Sequence, residues 1–191
     1  MFNEHMLNDI KKVSLSMFRK NFFGVYHGSI SARTDINSFV INKKEAIFDE
    51  ISEDSLIELN SKIKDYRWNI SSLDTHIHDQ IYMEVPEAKY ISYTMPPYTT
   101  AYAMKHTKLT PHDYFGAIHI GQIPVYDPGN FRDWYDRAPH EISDFFQKDK
   151  SHMMLIKGYG LITHDRDIRE MAKRIALLEN SARLLILNNS A

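Results

Sequence analysis

A carboxyl and an imidazole near the middle of the chain have the spacing of a proton-transfer pair. Asp74 and His78 lie four residues apart in the segment 72–78, SLDTHIH, and a helix there would place both on one face. Such a pair can pass a proton or make two contacts to a cation, but two ligands are too few for a closed zinc site. His76 would point elsewhere on the same helix. The simpler alternative is that Asp74 is a helix-start carboxylate stabilised by the helix dipole.

Two adjacent lysines are the second candidate feature. Either Lys43 or Lys44 could hold an anion as a point charge. The competing explanation is a solvated charge pair in a hairpin turn, because exposed charges contribute little to stability. Arg33 follows a Gly-Ser turn, and we expect it to be a structural pairing residue rather than a ligand.

Hydrophobic periodicity predicts the elements that must position these side chains. Apolar residues at spacings of three and four predict helices over residues 4–20, 74–85, 98–106 and 140–147, and from 167 onward. Runs of strand type predict a hairpin within 25–42 and strands near 56–59, 89–95, 118–126 and 153–162. Pro124 interrupts the run at 118–126 and favours an edge strand there, with His119 as a core histidine. Helices that alternate with strands predict a layered α/β fold.

Length, charge and composition argue against several classes of protein. The 191 residues are the size of one domain, which we expect to span 1–191. A formal net charge of -2 leaves no bulk positive field for nucleic acid. The chain has no cysteine, which fits a reducing compartment. It shows neither a signal-like N-terminus nor a run of about 18 apolar residues. We therefore expect a cytoplasmic protein with no nucleic-acid and no membrane partner.

Six short segments occur in a characteristic order along most of the chain. They are 28–33 GSISAR, 72–78 SLDTHIH, 93–101 YTMPPYTTA, 121–125 GQIPV, 159–161 YGL and 178–183 LENSAR. This order and spacing resemble the class II aldolase/adducin family, whose members carry GNxSxR, SxExxxH, HTHSPYATA, IPV, HGL and LExxA at the corresponding places. The resemblance rests on the joint order, since none of the six segments is specific alone.

The resemblance implies a fold, a ligand class and an assembly. It implies a three-layer α/β fold with a central, mainly antiparallel sheet flanked by helices. The family includes fuculose-phosphate aldolase and ribulose-phosphate 4-epimerase, so a small, carbohydrate-like ligand is implied, bound in a cleft. Family enzymes are commonly cyclic homotetramers with sites at subunit boundaries, and we accordingly expect a homo-oligomer.

The resemblance also identifies a metal site whose ligands are replaced. Family enzymes bind a divalent cation, usually zinc, through three histidines, and the cation polarises a carbonyl. The corresponding residues here are Tyr93, Met95 and Tyr159. A phenol must lose a proton with a pKa near 10 before it can ligate, and a thioether is soft and uncharged. We therefore expect no zinc cofactor; the two tyrosines are either functional hydroxyls or packing residues.

Further site residues follow from the same resemblance. Asp74 stands where family aldolases place an acid/base glutamate, and the candidate catalytic residues are Asp74, His78, Tyr93 and Tyr159. Family members hold the substrate phosphate with small residues and backbone amides. This chain keeps Gly28, Ser29 and Ser72 at those places and has Lys43 in the intervening turn. A later loop supplies two more tyrosine candidates, Tyr126 and Tyr135, with a packed loop or a subunit contact as the alternative.

Two functional hypotheses follow. The preferred one is an aldolase/adducin-like protein without the zinc site, with a sugar-phosphate-like cleft and with aldolase activity lost or altered. The alternative is an active aldehyde-lyase or epimerase on a small phosphorylated sugar, with Asp74 as acid/base and a divalent cation such as zinc only in this case. A purely structural interaction domain is a third class, and it would have a closed cleft.

Overall fold

The fold consists of helices packed around one β-sheet. It is given by a computed structural model, which describes residues 3–25 and 27–188. The helices are α1 Glu4–Arg19, α2 Thr75–Glu84, α3 Pro97–Ala103, α4 Tyr114–His119, α5 Trp134–Asp149 and α6 Ile168–Asn188. The strands are β1 Ser29–Asp35, β2 Ser38–Asn42, β3 Leu56–Asn60, β4 Tyr90–Thr94, β5 Lys108–Leu109, β6 Ile123–Tyr126, β7 Met153–Ile156 and β8 Gly160–Asp165. Three short 3-10 turns lie at Glu53–Ser55, Tyr66–Asn69 and Phe131–Asp133.

All eight strands join one sheet in the order β3-β2-β1-β4-β8-β7-β6-β5. Every neighbouring pair is antiparallel except β6 and β7, which are parallel. The expected α/β class, with a mainly antiparallel sheet flanked by helices, is therefore confirmed. None of the helices that the structure describes combines the length and the apolar character needed to cross a bilayer.

The two faces of the sheet are covered by different helices. One face packs on α1, α3 and α6, and the other packs on α2 and α5. Side chains alternate between the faces along a strand, and β1 shows this directly. Ile30 and Ala32 belong to the first core, whereas Ser29 and Ser31 point to α2 and bond to its residue His78. β1 thus presents two buried hydroxyls to the helix that carries the candidate carboxylate.

The structure corrects two sequence-based predictions around the third quarter of the chain. The run at 118–126 is not one strand: α4 ends at His119, and β6 begins only at Ile123, paired on both sides. His119 is exposed on α4 and is not a core histidine. The apolar alternation there reflects a short helix followed by a turn at Gly121, whose φ is +70°.

Several element boundaries also differ from expectation, and the run at 153–162 forms two strands, β7 and β8. The helix predicted at 140–147 begins earlier, at Trp134, and contains Pro139. Pro139 lacks the N–H that would bond one turn back, yet the helix continues because Trp134 and Ala138 are buried on its apolar face. The strand-like run predicted from residue 25 becomes β1 only at Ser29, and Tyr26 lies outside the described residues.

Candidate functional site

A cleft opens where β1 begins, β2 ends and α2 starts. Its volume is about 390 Å³. Six of the candidate site residues line it: Gly28, Lys44, Ser72, Asp74, Tyr93 and Tyr135. Three further candidates lie in contact with this group: Ser29 and His78 are fully buried, and Tyr159 reaches Asp74. Residues that are distant in sequence therefore converge on one place.

Gly28 forms the rim of the cleft, and its conformation requires glycine. Its φ is +116°, in a region that L side chains rarely adopt. A Cβ at this position would also lie 2.4 Å from Cδ1 of Phe23, a buried ring that stacks on Phe48. The close approach of the chain to this aromatic pair explains why the residue directly before Ser29 is a glycine.

Asp74 forms the floor of the cleft and does not behave as a simple helix cap. It occupies the N-cap position of α2, but its side chain bonds to no amide of that helix. Oδ1 instead accepts hydrogen bonds from the hydroxyls of Tyr159, at 3.1 Å, and Tyr135, at 3.3 Å. Burial raises the pKa of the Asp74 carboxyl, and hydrogen bonds from Ser29, Tyr159 and Tyr135 oppose this rise.

Tyr93 and Tyr159 form a stacked pair beside Asp74. Their ring centroids are 4.5 Å apart with an interplanar angle of 21°, and the Tyr93 hydroxyl donates to the backbone carbonyl of Tyr159 at 2.8 Å. Burial, and then the nearby Asp74 charge, raise the pKa of both phenols, and the same causes raise the pKa of Tyr135 to about 12. All three phenols are therefore neutral donors near pH 7.

The donor set at positions 93, 95 and 159 does not fit a zinc ion. Zinc in proteins takes imidazole, thiolate or carboxylate ligands, whereas the groups present are two protonated phenols and the Met95 thioether. Each phenol already donates its proton within the protein. Within residues 3–25 and 27–188, no three His, Cys, Asp or Glu side chains are grouped so that they could hold a metal.

His78 is not paired directly with Asp74, although both belong to the start of α2. Its Nε2 lies 2.9 Å from the Ser29 hydroxyl, and its Nδ1 lies 2.7 Å from the Ser31 hydroxyl. Both ring nitrogens are thus occupied by serines, whereas the Asp74 carboxyl bonds to the hydroxyls of Tyr135 and Tyr159. Burial lowers the pKa of His78 to about 3, so the ring is neutral.

The two lysines have different positions. Lys44 lines the cleft with Glu45. Lys43 is half-buried, pairs with Ser71 through a β-bridge and lines a neighbouring hollow of about 260 Å³. Of the two candidate lysines, Lys44 therefore lines the cleft, whereas Lys43, named for the phosphate site, lines the neighbouring hollow.

Other candidates have roles that sequence patterns only partly indicated. Arg33 donates to the carbonyls of Tyr82, Val85 and Ala88 at the end of α2, which agrees with its expected structural role. The Tyr126 hydroxyl bonds to Glu141, whereas Tyr135 lines the cleft.

Sequence reasoning missed Ser31, Tyr82 and His27. His27 lines the cleft, and the Ser31 hydroxyl bonds to both His78 and Tyr82. For Ser31, the alternation of serines at 29 and 31 in a strand was the available signal. Tyr82 lies one helical turn beyond His78, at the spacing that places two residues on one helix face.

Comparison with known proteins identifies the family. A family model described as the Class II Aldolase and Adducin N-terminal domain matches residues 8–186. The structure is similar to L-fuculose-1-phosphate aldolase from Thermus thermophilus, with a TM-score of 0.86, 18% identity and coverage of 98% of this chain and 95% of that chain.

Two further solved structures are similar in fold. YgbL from Klebsiella pneumoniae gives a TM-score of 0.80 at 18% identity, over 98% of this chain and 91% of that one. A sugar-phosphate aldolase from Thermotoga maritima gives 0.72 at 15% identity, over 97% of each chain. A sequence comparison with curated proteins found no match. The family match over nearly the whole chain shows that this protein belongs to the class II aldolase and adducin N-terminal domain family.

Proposed function

We propose that this protein binds a small phosphorylated, carbohydrate-like molecule in the cleft and does not carry out zinc-dependent aldol chemistry. The observation that carries this proposal is the contact between Tyr159 and Asp74. The Tyr159 hydroxyl donates a hydrogen bond to the Asp74 carboxyl. Tyr159 stands at the position where family enzymes have a metal-binding histidine. A phenol becomes a good zinc ligand only as a phenolate, and the proton that it would have to lose is the one that Tyr159 donates to Asp74.

The lining of the cleft suits a phosphorylated polyol. Lys44, His27 and the Ser72 hydroxyl offer an ammonium, an imidazole and a hydroxyl to a phosphate. Glu45 and the Tyr135 oxygen, whose proton is donated to Asp74, offer acceptors to sugar hydroxyls. Two of the structurally similar proteins are named as aldolases of sugar phosphates, which supports the same ligand class for this cleft.

Calorimetric titration tests the ligand class directly. Fuculose 1-phosphate, free fuculose and inorganic phosphate are titrated into the protein without added metal. We expect the phosphorylated sugar to bind and free fuculose to bind at least about tenfold more weakly, because a charge-assisted phosphate contact is worth about 1.4 kcal/mol or more. Equal binding of the two sugars, or no binding of any phosphorylated sugar in a wider panel, would contradict the proposal.

A pair of lysine variants locates the phosphate. Lys44→Gln removes the ammonium that lines the cleft, and we expect about tenfold weaker binding of the phosphorylated sugar. Lys43→Gln is the matched control, because Lys43 lines the neighbouring hollow. If Lys43→Gln weakens binding and Lys44→Gln does not, the phosphate lies on the Lys43 side.

A second candidate function is favoured by the environment of Asp74. Burial raises the pKa of this carboxyl, and a raised pKa suits a general acid or base near neutral pH. The corresponding function is a lyase or epimerase that acts on a small phosphorylated sugar. A turnover screen over sugar phosphates tests it: Asp74→Asn must abolish any activity while ligand binding persists. An Asp74→Asn variant as active as the native protein would exclude this function.

The exposed apolar face of α4 and α6 supports self-association. The side chains of Tyr114, Phe115 and Ile118 on α4 and of Leu184 and Leu187 on α6 are all exposed, and the two helices contact each other. Clustered exposed apolar side chains mark interaction surfaces. Because the family resemblance implies homo-oligomers, we propose that a second copy of this chain covers this apolar face.

Light scattering coupled to gel filtration tests the assembly. We expect a homo-oligomer for the native chain and a smaller species for Ile118→Glu, which places a charge in the apolar face. Ile36→Glu is the control, because Ile36 is 80% exposed in the turn between β1 and β2. A monomeric native protein would contradict the proposed assembly and leave the ligand proposal unaffected.

A further inference from the structure

The first turn of α5 carries Tyr135 to Asp74, but its backbone lacks two contacts that commonly hold a helix start. The N-cap residue is Asp133, whose side chain accepts no hydrogen bond from an amide of this helix, although such a cap usually fixes the first turn. Pro139 lies one turn beyond Tyr135 and has no N–H to donate to the carbonyl of Tyr135. The position of this turn therefore depends on side-chain contacts.

The guanidinium of Arg137 supplies these contacts. Its Nη2 donates to the carbonyl of Pro128 at 2.7 Å and also lies 3.2 Å from the carbonyl of Asn130. The same nitrogen lies 3.1 Å from Oδ1 of Asp133, and Nη1 donates to the carboxylate of Glu141. Arg137 thus joins the loop before α5 to helix residues on both sides of the proline. We call these five residues the Arg137 clamp.

The Arg137 clamp is also tied to the sheet. Oε2 of Glu141 accepts a hydrogen bond from the hydroxyl of Tyr126, the last residue of β6, at 2.6 Å. The Arg137 side chain is 34% exposed, so these contacts are partly shielded from water. A guanidinium carries five N–H donors in fixed directions. One planar side chain can therefore serve several oxygens at once and fix where they lie relative to one another.

Tyr135 itself is held more weakly than its neighbour in the helix. Trp134 is 1% exposed, and its ring centroid lies 5.6 Å from that of Tyr159. Tyr135 is 49% exposed, with its ring centroid 6.1 Å from that of Tyr159. Its hydroxyl lies 3.3 Å from Oδ1 of Asp74, beyond the usual O–H···O range of about 2.5–3.0 Å. Core packing therefore fixes Trp134, whereas Tyr135 depends on how its turn is held.

We propose that Arg137 is a positioning residue, which holds Tyr135 against Asp74 and thereby shapes the wall of the cleft. Without the Arg137 clamp, the first turn of α5 shifts and the Tyr135 ring leaves its contact with Tyr159, while Trp134 stays in the core. The positioning requires no ligand. Its consequence for binding rests on the proposed function, in which the Tyr135 oxygen accepts from a sugar hydroxyl.

The alternative is that Arg137 only stabilises the fold. Its ion pairs with Asp133 and Glu141 have the i,i+4 spacing of ordinary helix-surface pairs, which stabilise a helix without directing any other side chain. The two carbonyls of Pro128 and Asn130 lie outside α5, however, so their bonds fix the helix start relative to the loop. A purely stabilising role would lower the free energy of unfolding and leave the Tyr135 ring in place.

Proton NMR with labelled aromatic residues tests the positioning on the protein without ligand. In the native protein we expect nuclear Overhauser contacts from the Tyr159 ring to both Tyr135 and Trp134. In Arg137→Gln the contact with Tyr135 should be lost and the contact with Trp134 kept, which also shows that α5 is still docked. Lys148→Gln is the matched control, because it removes an exposed ion pair at the other end of α5. It should keep both contacts.

Binding of the phosphorylated sugar gives the second measurement. Tyr135→Phe removes one acceptor from the cleft, and we expect about 2–10-fold weaker binding of fuculose 1-phosphate, the effect of one hydrogen bond. Arg137→Gln should weaken binding by a similar factor. The double variant should lose no more than the weaker-binding single variant, because Arg137 acts through Tyr135, whereas independent effects would multiply.

Two outcomes would overturn the positioning role. One is a folded Arg137→Gln protein that keeps the contact between Tyr135 and Tyr159, and the other is a double variant in which the two binding losses multiply. If Arg137→Gln fails to fold, Arg137→Lys takes its place with the same expected loss, because an ammonium keeps the charge but lacks the planar fork. If no phosphorylated sugar binds, the proposed function fails, and the NMR contacts still decide the role of Arg137.

Discussion

The hydroxyl of Tyr159 lies 3.1 Å from Oδ1 of Asp74 and joins the turn before β8 to the start of α2. Tyr159 occupies the place of a metal-binding histidine in the family pattern, and Asp74 occupies that of the acid/base glutamate. The two positions that a cation would serve are here linked by a hydrogen bond. The ring of Tyr93 stacks on that of Tyr159 beside this contact.

Tyr159→Phe removes the donor from Asp74. We expect the free energy of unfolding to fall by about 1 kcal/mol, the net value of a typical hydrogen bond. The pKa of Asp74 should rise further, because one of the hydrogen bonds that lower it is lost. Urea denaturation and carboxyl ¹³C NMR measure the two effects. Tyr66→Phe, at a residue 73% exposed, is the control and should change neither; an unchanged Asp74 pKa in Tyr159→Phe would refute the role of this contact.

Asp74→Asn changes how stability depends on pH. The folded pKa of Asp74 is raised, so its stabilising contribution is complete below the unfolded pKa of about 3.9 and is lost as pH rises through the folded pKa. The difference in unfolding free energy, native minus Asn variant, should therefore fall with pH in this window, at no more than about 1.4 kcal/mol per unit. Denaturation of both proteins across pH gives this difference. A difference that rises with pH would mean that the folded pKa is lowered instead.

Gly28→Ala distorts the rim of the cleft. The positive φ and the Cβ position 2.4 Å from Phe23 together should lower the unfolding free energy by about 2 kcal/mol or more. Gly129→Ala is the matched control, because Gly129 has a φ of +67° but no atom within 4 Å of the added Cβ. Gly129→Ala should lower the unfolding free energy only by the cost of a left-handed backbone conformation, about 1 kcal/mol. Equal losses, measured by chemical denaturation, would show that crowding by Phe23 is unimportant.

Glu179→Gln weakens the attachment of α3 to α6. The Glu179 carboxylate accepts from the amides of Tyr98 and Thr99, at 3.0 and 2.8 Å, and from the Thr99 hydroxyl at 2.8 Å. An amide offers one acceptor oxygen in place of two, so we expect a loss of about 1–3 kcal/mol in unfolding free energy. Glu170→Gln, on the exposed start of the same helix, should stay within about 0.5 kcal/mol. Matching losses in the two variants would contradict the capping role.

The fold and most of the site could be predicted because they depend on local patterns. The alternation in β1 and the periodicity of α2 place Ser29 and Asp74, and the ordered family segments place Tyr93 and Tyr159. What could not be predicted depends on tertiary packing. The sequence offered both Tyr126 and Tyr135 as candidates, but it could not show that Tyr135 lines the cleft while Tyr126 bonds to Glu141.

The relation between Asp74 and His78 shows the same limit. Spacing of four correctly placed both at one end of α2, but it could not show that the His78 ring bonds to Ser29 and Ser31 rather than to Asp74. Likewise, adjacent lysines are equivalent in sequence, whereas in the fold Lys43 forms a β-bridge with Ser71 and Lys44 lines the cleft. Side-chain direction at such positions is decided by pairing across the sheet.

We propose that phenols have replaced a zinc site, and zinc occupancy tests this proposal most directly. Protein without a histidine tag is incubated with zinc, dialysed and analysed for metal, beside the Tyr93→Phe/Tyr159→Phe variant and a Tyr93→His/Met95→His/Tyr159→His variant as a positive control. We expect the native protein to retain no more zinc than the Tyr93→Phe/Tyr159→Phe variant. One zinc per native chain that disappears in that variant would contradict the account.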